Sequence, residues 1–396
     1  RTFGSLKDFI TPRRTIPRGG AVVEKRAFEL FAKALFRAGT TSSWIVGSEL
    51  TRKPERSYCV VARRSERPGR ERMGSLLYLS RGDVEKVALP MEEIIRALEA
   101  AFLDKARGLA EAPPKPGVHP RRECFLHAMP ASLPQRGAVG IKWVAGYPTN
   151  PKRGLPYISG LVILNDPETG LPISVMDCTW ITAKRTAAAS ALAAKFLARR
   201  DARVLGICGC GVQGKTHLEA LKVVLPSLEE VLLYDVSPEA ARLFVEEMAP
   251  RYPELKFQKV SSAYEAVCES DIIVTAALIL REAEPVIRKG WVRPGAFASA
   301  VDFDCYWTRE ALEEMDLIIT DDEEQLSYYR SSGYFPRLPR VDGELGEIIS
   351  GAIPGREDEK QRTMAVFLGL AIEDMVTALA ILERARRMGL GTELPL

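Results

Sequence analysis

Gly209-Cys210-Gly211-Val212-Gln213-Gly214 is the feature that most narrows the folds open to this chain. An apolar run at 203–208 precedes it, and a helix-patterned run at 212–225 follows. A G-x-G-x-x-G loop between strand and helix turns the chain tightly. It leaves the helix N-terminus, with its unpaired N–H groups and positive dipole end, open to an anion. Asp235 lies 21 residues beyond Gly214, within the next strand-like run at 230–236. A carboxylate there accepts bonds from the adenine-ribose hydroxyls and repels a 2′-phosphate. These residues predict a nicotinamide dinucleotide site that prefers NAD to NADP. The cofactor-binding set is Gly209, Gly211, Val212, Gln213, Gly214 and Asp235.

A rival pattern overlaps this one. Gly209 to Thr216 also reads G-x-x-x-x-G-K-T, the phosphate loop of nucleotide triphosphatases, with Lys215 on phosphate and Thr216 on magnesium. Asp235 favours the dinucleotide reading. The best candidate for a magnesium-holding strand, 317–321, carries Thr320 among its apolar residues.

Around the loop, strands are expected at 203–208, 230–236, 256–260, 271–276, 296–301 and 316–320, with helices at 212–225 and 238–248. Alternating strands and helices predict a parallel sheet with crossover helices. The N-terminal half reads differently. A strand at 77–79 runs into Ser80, a helix start, and Ile94, Ile95, Leu98 and Phe102 give helical spacing at 91–105. Strands follow at 124–129, 138–145, 157–164 and 172–176, the last two joined by a turn at 166–170. A long Ala-rich helix is expected at 182–198, where small residues imply close packing. A second long helix is expected at 362–388.

At 396 residues and 46% hydrophobic, the chain has core material for two domains. Its net charge of +3 hides a split: residues 1–75 hold 17 Lys/Arg against 7 Asp/Glu, so the remainder is mildly acidic. Nucleic acid is therefore not an expected partner of the body. The first methionine is Met73, and the expectation is that residues 1–72 are a non-native or disordered basic extension. An Arg- and Ser-rich transit peptide is the rival reading, weakened by the seven acidic residues; a basic tail for an anionic partner is a third. Seven cysteines without a C-x-x-C pair, and three histidines that form no ligand cluster with them, predict a reducing, cytoplasmic setting with no metal site. No apolar run reaches the roughly 18 residues of a membrane helix.

Several separated motifs, in order, resemble the ornithine cyclodeaminase/μ-crystallin family. They are G-I-K-W-V-A-G-Y-P at 140–148, G-L-P-Y-I-S-G at 154–160, M-D-C-T-W-I-T-A-K-R-T-A-A-A-S-A-L at 176–192, the glycine loop, G-L-A-I-E-D-M-V-T-A at 369–378 and the closing G-L-G-T-E-L-P-L. The resemblance spans about Leu77 to Leu396. It implies an α/β fold in which a Rossmann dinucleotide-binding domain (199–325) is inserted into an α+β substrate-binding and dimerisation domain (73–198 and 326–396). It also implies a homodimer and a small amino or imino acid as substrate.

An α-amino acid carries a carboxylate into the site, and burying it calls for cations. The resemblance places Lys115, Lys142 and Arg185 as that clamp, and Thr186 and Val301 beside the cofactor. Arg185 suits bidentate carboxylate binding. Lys142 sits mid-strand among apolar residues, where a lowered pKa would let it act as acid or base. Asp304, in V-D-F-D-C, matches the family's catalytic aspartate, with Asp302 as the rival. His127 departs from the glutamate of the ornithine cyclodeaminases and from the arginine of the alanine dehydrogenase relative, which counts against ornithine. It is either a proton-transfer group or a hydrogen-bonded core histidine. Phe367 replaces an expected polar residue. The leading expectation is an NAD-dependent oxidoreductase at a Cα–N bond, with Lys142, Asp304 and His127 as catalytic candidates. The alternatives are a cyclising ammonia lyase and a non-catalytic dinucleotide-dependent binding protein.

Overall fold

The computed structural model describes residues 74–280 and 282–396. The expectations for residues 1–72 lie outside them. Two sheets carry the architecture. The first runs, edge to edge, through Thr392–Pro395, Ser75–Leu79, Pro172–Asp177, Ile158–Asn165, Ala138–Gly146, Phe125–Leu133 and Gly117–Val118. All its pairings are antiparallel except that of Ser75–Leu79 with Pro172–Asp177. One face alternates inward through Met129, Ala131, Leu133, Val144, Val162, Leu164 and Met176, all buried. The helices Ala371–Met388 and Thr179–Leu197 pack on this sheet, and Met91–Ala106 packs against those two helices.

The second sheet is wholly parallel. Its order is Gly343–Glu344, Leu317–Thr320, Thr363–Val366, Phe297–Ala300, Ile272–Thr275, Val204–Cys208, Glu230–Tyr234 and Lys256–Lys259. The chain winds outward from Val204–Cys208 to one edge, then crosses back to Ile272–Thr275. The strand order therefore reverses between these two neighbours, the switch point where open α/β sheets bind ligands.

Local chemistry explains most boundaries. Ser80 caps the helix Arg81–Val87 in a reciprocal capping box with Asp83. Gly389, at φ 65°, ends the helix Ala371–Met388 in the left-handed conformation. In the Ala-rich helix Thr179–Leu197, Ala187, Ala188, Ala191, Ala193 and Ala194 are all buried. Small side chains let the glycine-loop helix Val212–Val224 pack closely beside it.

Two expectations need correction. Residues 362–388 are not one helix: Thr363–Val366 is a fully buried strand, Gly369 turns the chain at φ 80°, and the helix begins only at Ala371. A continuous apolar run cannot be assigned to helix or strand by period alone. For the same reason the second sheet does not stop at residue 325. Gly343–Glu344 and Thr363–Val366 return to it from the segment assigned to the substrate-binding part.

Candidate active site

A cavity of about 520 Å³ opens where the two sheets meet. Lys115, Lys142, Arg185, Thr186, His127, Gln213 and Val301 all line it. Residues 115, 127 and 142 come from the first sheet and its lead-in, 185 and 186 from the Ala-rich helix, 213 from the first turn of the helix Val212–Val224, and 301 from just past the end of the strand Phe297–Ala300. The cationic set and part of the cofactor set thus share one space.

The cations sit on a buried acidic base. Lys142 is fully buried and its Nζ binds the Asp374 carboxylate at 2.7 Å, with Thr182 Oγ1 at 3.5 Å. Arg185 Nε donates to Asp374 Oδ1 at 3.1 Å and Nη1 to Glu373 Oε2 at 2.9 Å. Its Nη2 has no bonding partner among the described residues. Among the described residues, Lys115 Nζ donates only to main-chain carbonyls, those of Leu368 and, at 3.1 Å, Gly369. Asp321 Oδ2 accepts the N–H groups of Leu368 (2.9 Å) and Gly369 (2.6 Å), pinning the same turn from the other side. A Cβ on Gly369 would stand 2.4 Å from Arg185 Nη1, so only glycine lets this turn lie against the guanidinium.

Burial and crowding set the charges. Desolvation, then the Arg185 charge, pushes both Lys115 and Lys142 below the ordinary lysine range. Arg185 is also desolvated, yet Asp374 and Glu373 hold its charge above the ordinary value. Burial raises Asp321 and Glu373. His127 is half-buried and pushed down to about 3 by desolvation, then by the charges of Lys115, His119 and Lys142. It is a neutral imidazole at any physiological pH.

The loop has the shape a dinucleotide requires. A Cβ on Gly214 would meet Gly209 O at 2.3 Å, and one on Gly209 would meet Ala276 O at 2.6 Å. At Gly211 a Cβ meets no protein atom within 4 Å, so the backbone there faces open space. Val212 beside it is exposed. Asp235 Oδ2 accepts the Cys210 N–H at 2.8 Å, which brings the carboxylate against the loop. Gln213 Oε1 is buried without a partner, an acceptor that a carboxamide N–H would satisfy. These residues fit NAD.

They do not fit the triphosphatase alternative. Thr216 Oγ1 bonds its own helix at Val212 O (3.0 Å) and Gln213 O (3.2 Å), while Lys215 pairs with Glu247.

A buried chain supports the loop from behind. Ser299 Oγ donates to Ser190 Oγ at 2.8 Å, Ser190 Oγ lies 2.8 Å from His217 Nε2, and His217 Nδ1 lies 2.7 Å from Gln213 O. A neutral Nδ1–H imidazole satisfies every contact, and burial pushes His217 down to about 4. The chain ties the second sheet, the Ala-rich helix and the first turn after the glycine loop together.

Asp304 and Asp302 stand outside the cavity wall. Asp304 Oδ2 accepts the N–H groups of Arg337 (2.7 Å) and Leu338 (3.2 Å). Asp302 accepts from Thr275 Oγ1 (2.7 Å) and Ala277 N (3.2 Å), and burial pushes it up to about 6. Three acids were missed by sequence reasoning: Asp321, Glu373 and Asp374. The pair 373–374 had a signal, adjacent acids on an otherwise apolar helix. Tyr329 was missed too, and it had none.

With this geometry in view, the relationships of the chain become specific. The sequence profile of the ornithine cyclodeaminase/mu-crystallin family matches residues 77–389. The chain belongs to that family. It is 36% identical to the nodulation efficiency protein NfeD of Rhizobium meliloti, over 80% of this chain and 97% of that protein. The Δ(1)-pyrroline-2-carboxylate reductase of Thermococcus litoralis, solved with NADH and L-proline, is 35% identical with a TM-score of 0.74, covering 81% of this chain and all of that one. An archaeal alanine dehydrogenase dimer with bound NAD is also 35% identical, with a TM-score of 0.73 over 81% of this chain and 99% of that one. Among the described residues no group of acids, histidines and cysteines could hold a metal ion, and no helix is long and apolar enough to cross a membrane.

Proposed function

We propose that this protein oxidises or reduces the Cα–N bond of a small amino or imino acid with NAD as hydride carrier. The observation that carries the reading is that Gln213, at the dinucleotide loop, lines the same cavity as Lys115, Lys142 and Arg185. The reductase and alanine dehydrogenase relatives, described with NADH and NAD respectively, support it.

The dinucleotide supplies the hydride acceptor or donor. The chain's own residues bind and orient the acid. Lys115 is the clamp cation without a carboxylate within ion-pair distance among the described residues, and Arg185 Nη2 is the unbonded guanidinium nitrogen. Together they hold the substrate carboxylate, with charge-assisted bonds shielded from water. Lys142 exchanges the proton that the substrate nitrogen loses on oxidation and regains on reduction. Its lowered pKa makes the neutral amine accessible, and the Asp374 contact fixes Nζ in place. Asp304 would reach the cavity only by releasing two main-chain N–H groups, so its proposed role is to hold the 303–308 loop. Asp304→Asn separates the roles: a positioning residue loses at most a few-fold in kcat, a proton carrier nearly all of it.

The assembly is proposed to be a homodimer, as in the archaeal relative. The outward face of the first sheet places Trp143 opposite Leu161 and Ile141 opposite Ile163, with Trp143 and Leu161 exposed. A contiguous apolar face of this kind marks an association surface. A nucleotide-binding part built on the second sheet, a substrate part built on the first, and a cytoplasmic setting for the free cysteines complete the proposal.

The test is NADH absorbance over time with the full chain, NAD and a panel of L-amino acids at alkaline pH. Net NADH with one or more of them is the expected result. Ammonia release without net NADH would overturn the reading in favour of a cyclising lyase. Neither signal, with NAD bound, would leave a binding protein.

A further inference from the structure

This inference rests on the proposed function and names the side chain that the same cavity takes. Beside the clamp, the cavity wall is a run of aromatic rings. His127 stacks on Phe125 (centroids 4.3 Å, planes 18° apart) and stands edge-on to Tyr329 at 6.1 Å. Tyr329 meets Phe303 edge-on at 5.6 Å, and Phe303 meets Tyr334 edge-on at the same distance. Phe303 holds its ring there from φ 64°, a left-handed conformation that a bulky residue rarely adopts. All five rings line the cavity.

Two polar features of this wall lack partners. The Tyr329 hydroxyl is buried and makes no hydrogen bond, in a residue only 4% exposed. An unmet buried hydroxyl is costly, and a ligand atom bonded to it would offset that cost. The His127 ring makes no hydrogen bond among the described residues, so it offers one neutral donor and one acceptor.

The wall carries no free negative charge. Of the cavity-lining residues only Glu123 and Glu282 are acidic, and both lie against Arg122, at 3.8 and 2.7 Å. Asp321, Glu373 and Asp374 lie behind the clamp and do not line the space. Lys115 Nζ already stands 5.4 Å from the Tyr329 ring centre. A terminal ammonium brought here would be desolvated beside another cation with no free carboxylate among the described residues to receive it, which disfavours its binding. Burial first, and then the same positive surroundings, keep His127 neutral.

We infer that the cavity selects an amino or imino acid with an aromatic, uncharged side chain, and excludes one ending in an ammonium group. The ring packs on His127, Tyr329 and Phe303. The Tyr329 hydroxyl and the His127 imidazole are the specificity-determining groups, and they receive a polar atom carried on that ring. Phe367, which lines the cavity where a polar residue was expected, extends the apolar surface.

The test is calorimetric binding of L-tyrosine, L-phenylalanine and L-ornithine to the full chain loaded with NADH, which reads affinity without turnover. Tyrosine and phenylalanine are expected to bind at least tenfold more tightly than ornithine. Tyr329→Phe, which preserves the ring, should remove most of any preference for tyrosine over phenylalanine. His127→Glu should raise ornithine affinity at least tenfold. Ornithine binding as tightly as phenylalanine, or an unchanged order in both variants, would overturn the inference. Failure here is distinct from failure of the proposed function. Net NADH from ornithine alone would sink the side-chain assignment and keep the oxidoreductase. Tight aromatic binding with no NADH formed from any amino acid would do the reverse.

Discussion

The dinucleotide loop takes its glycines and Gln213 from six consecutive residues, whereas the clamp draws Lys115, Lys142 and Arg185 from three separated segments and its acids from two more. The loop is held by backbone: Gly214 closes on Gly209, and Asp235 caps Cys210 N. The clamp is held by charge in a dry layer between a helix and a sheet, where Lys142 and Arg185 rest on Asp374 and Glu373 while Lys115 is held by main-chain carbonyls. A local motif therefore tolerates the loss of one contact better than a long-range ionic network does.

The largest expected effect tests that contrast on the clamp side. Asp374→Leu strips the carboxylate from Lys142 Nζ and Arg185 Nε, leaving two buried cations short of a partner. A loss of about 3–5 kcal/mol is expected, measured as a lower urea midpoint. A loss below about 1 kcal/mol would mean that packing, not charge, holds the clamp.

On the loop side, paired alanines separate fold from ligand. Gly214→Ala drives a Cβ into Gly209 O and should cost about 1–3 kcal/mol of stability. Gly211→Ala meets no protein atom, so the urea midpoint should stay put while NAD affinity, read by NADH fluorescence titration, falls about tenfold or more, ~1.4 kcal/mol. Equal effects from the two variants would erase the distinction.

Asp235→Ser sharpens the comparison at one carboxylate. The ratio of kcat/KM with NAD to that with NADP should fall about tenfold, in keeping with ~1.5–3 kcal/mol for a hydrogen bond to a charged group. An unchanged ratio would remove Asp235 from the ribose site.

The smallest effect concerns pH. Amine oxidation needs neutral Lys142, so kcat/KM should rise with pH through a limb below the free-lysine value of about 10.4. His127, pushed down to about 3, should contribute no limb near neutrality, and His127→Gln should leave the profile's shape intact. A limb near 6.5 that vanishes in that variant would make His127 the proton carrier.

How much was legible follows the same division. Most strand and helix positions from residue 75 to 320 came from period and punctuation, because each long element's pattern is written within its own residues; the short elements Gly117–Val118, Ala263–Cys268 and Arg309–Glu313 were not read. The strand Thr363–Val366 was not legible, because a fully buried strand and a buried helix turn share one apolar signature. Lys142 could be named through the family resemblance, yet Asp374, its partner 232 residues away, could not be paired with it by any spacing. Asp304 could be named from its motif, yet its contacts with the backbone at Arg337 and Leu338 are written in no local pattern.

The sequence alone determined the dinucleotide loop and its preference for NAD, since steric room at Gly209, Gly211 and Gly214 and a carboxylate one strand later are properties of a single contiguous stretch. Only the tertiary structure decided what the cavity accepts. The Tyr329 hydroxyl counts for recognition because it is buried and, among the described residues, unbonded, and His127 is neutral because burial desolvates it and the charges of Lys115, His119 and Lys142 converge on it. Burial and convergence are created by packing residues far apart in the chain, and no local pattern records them.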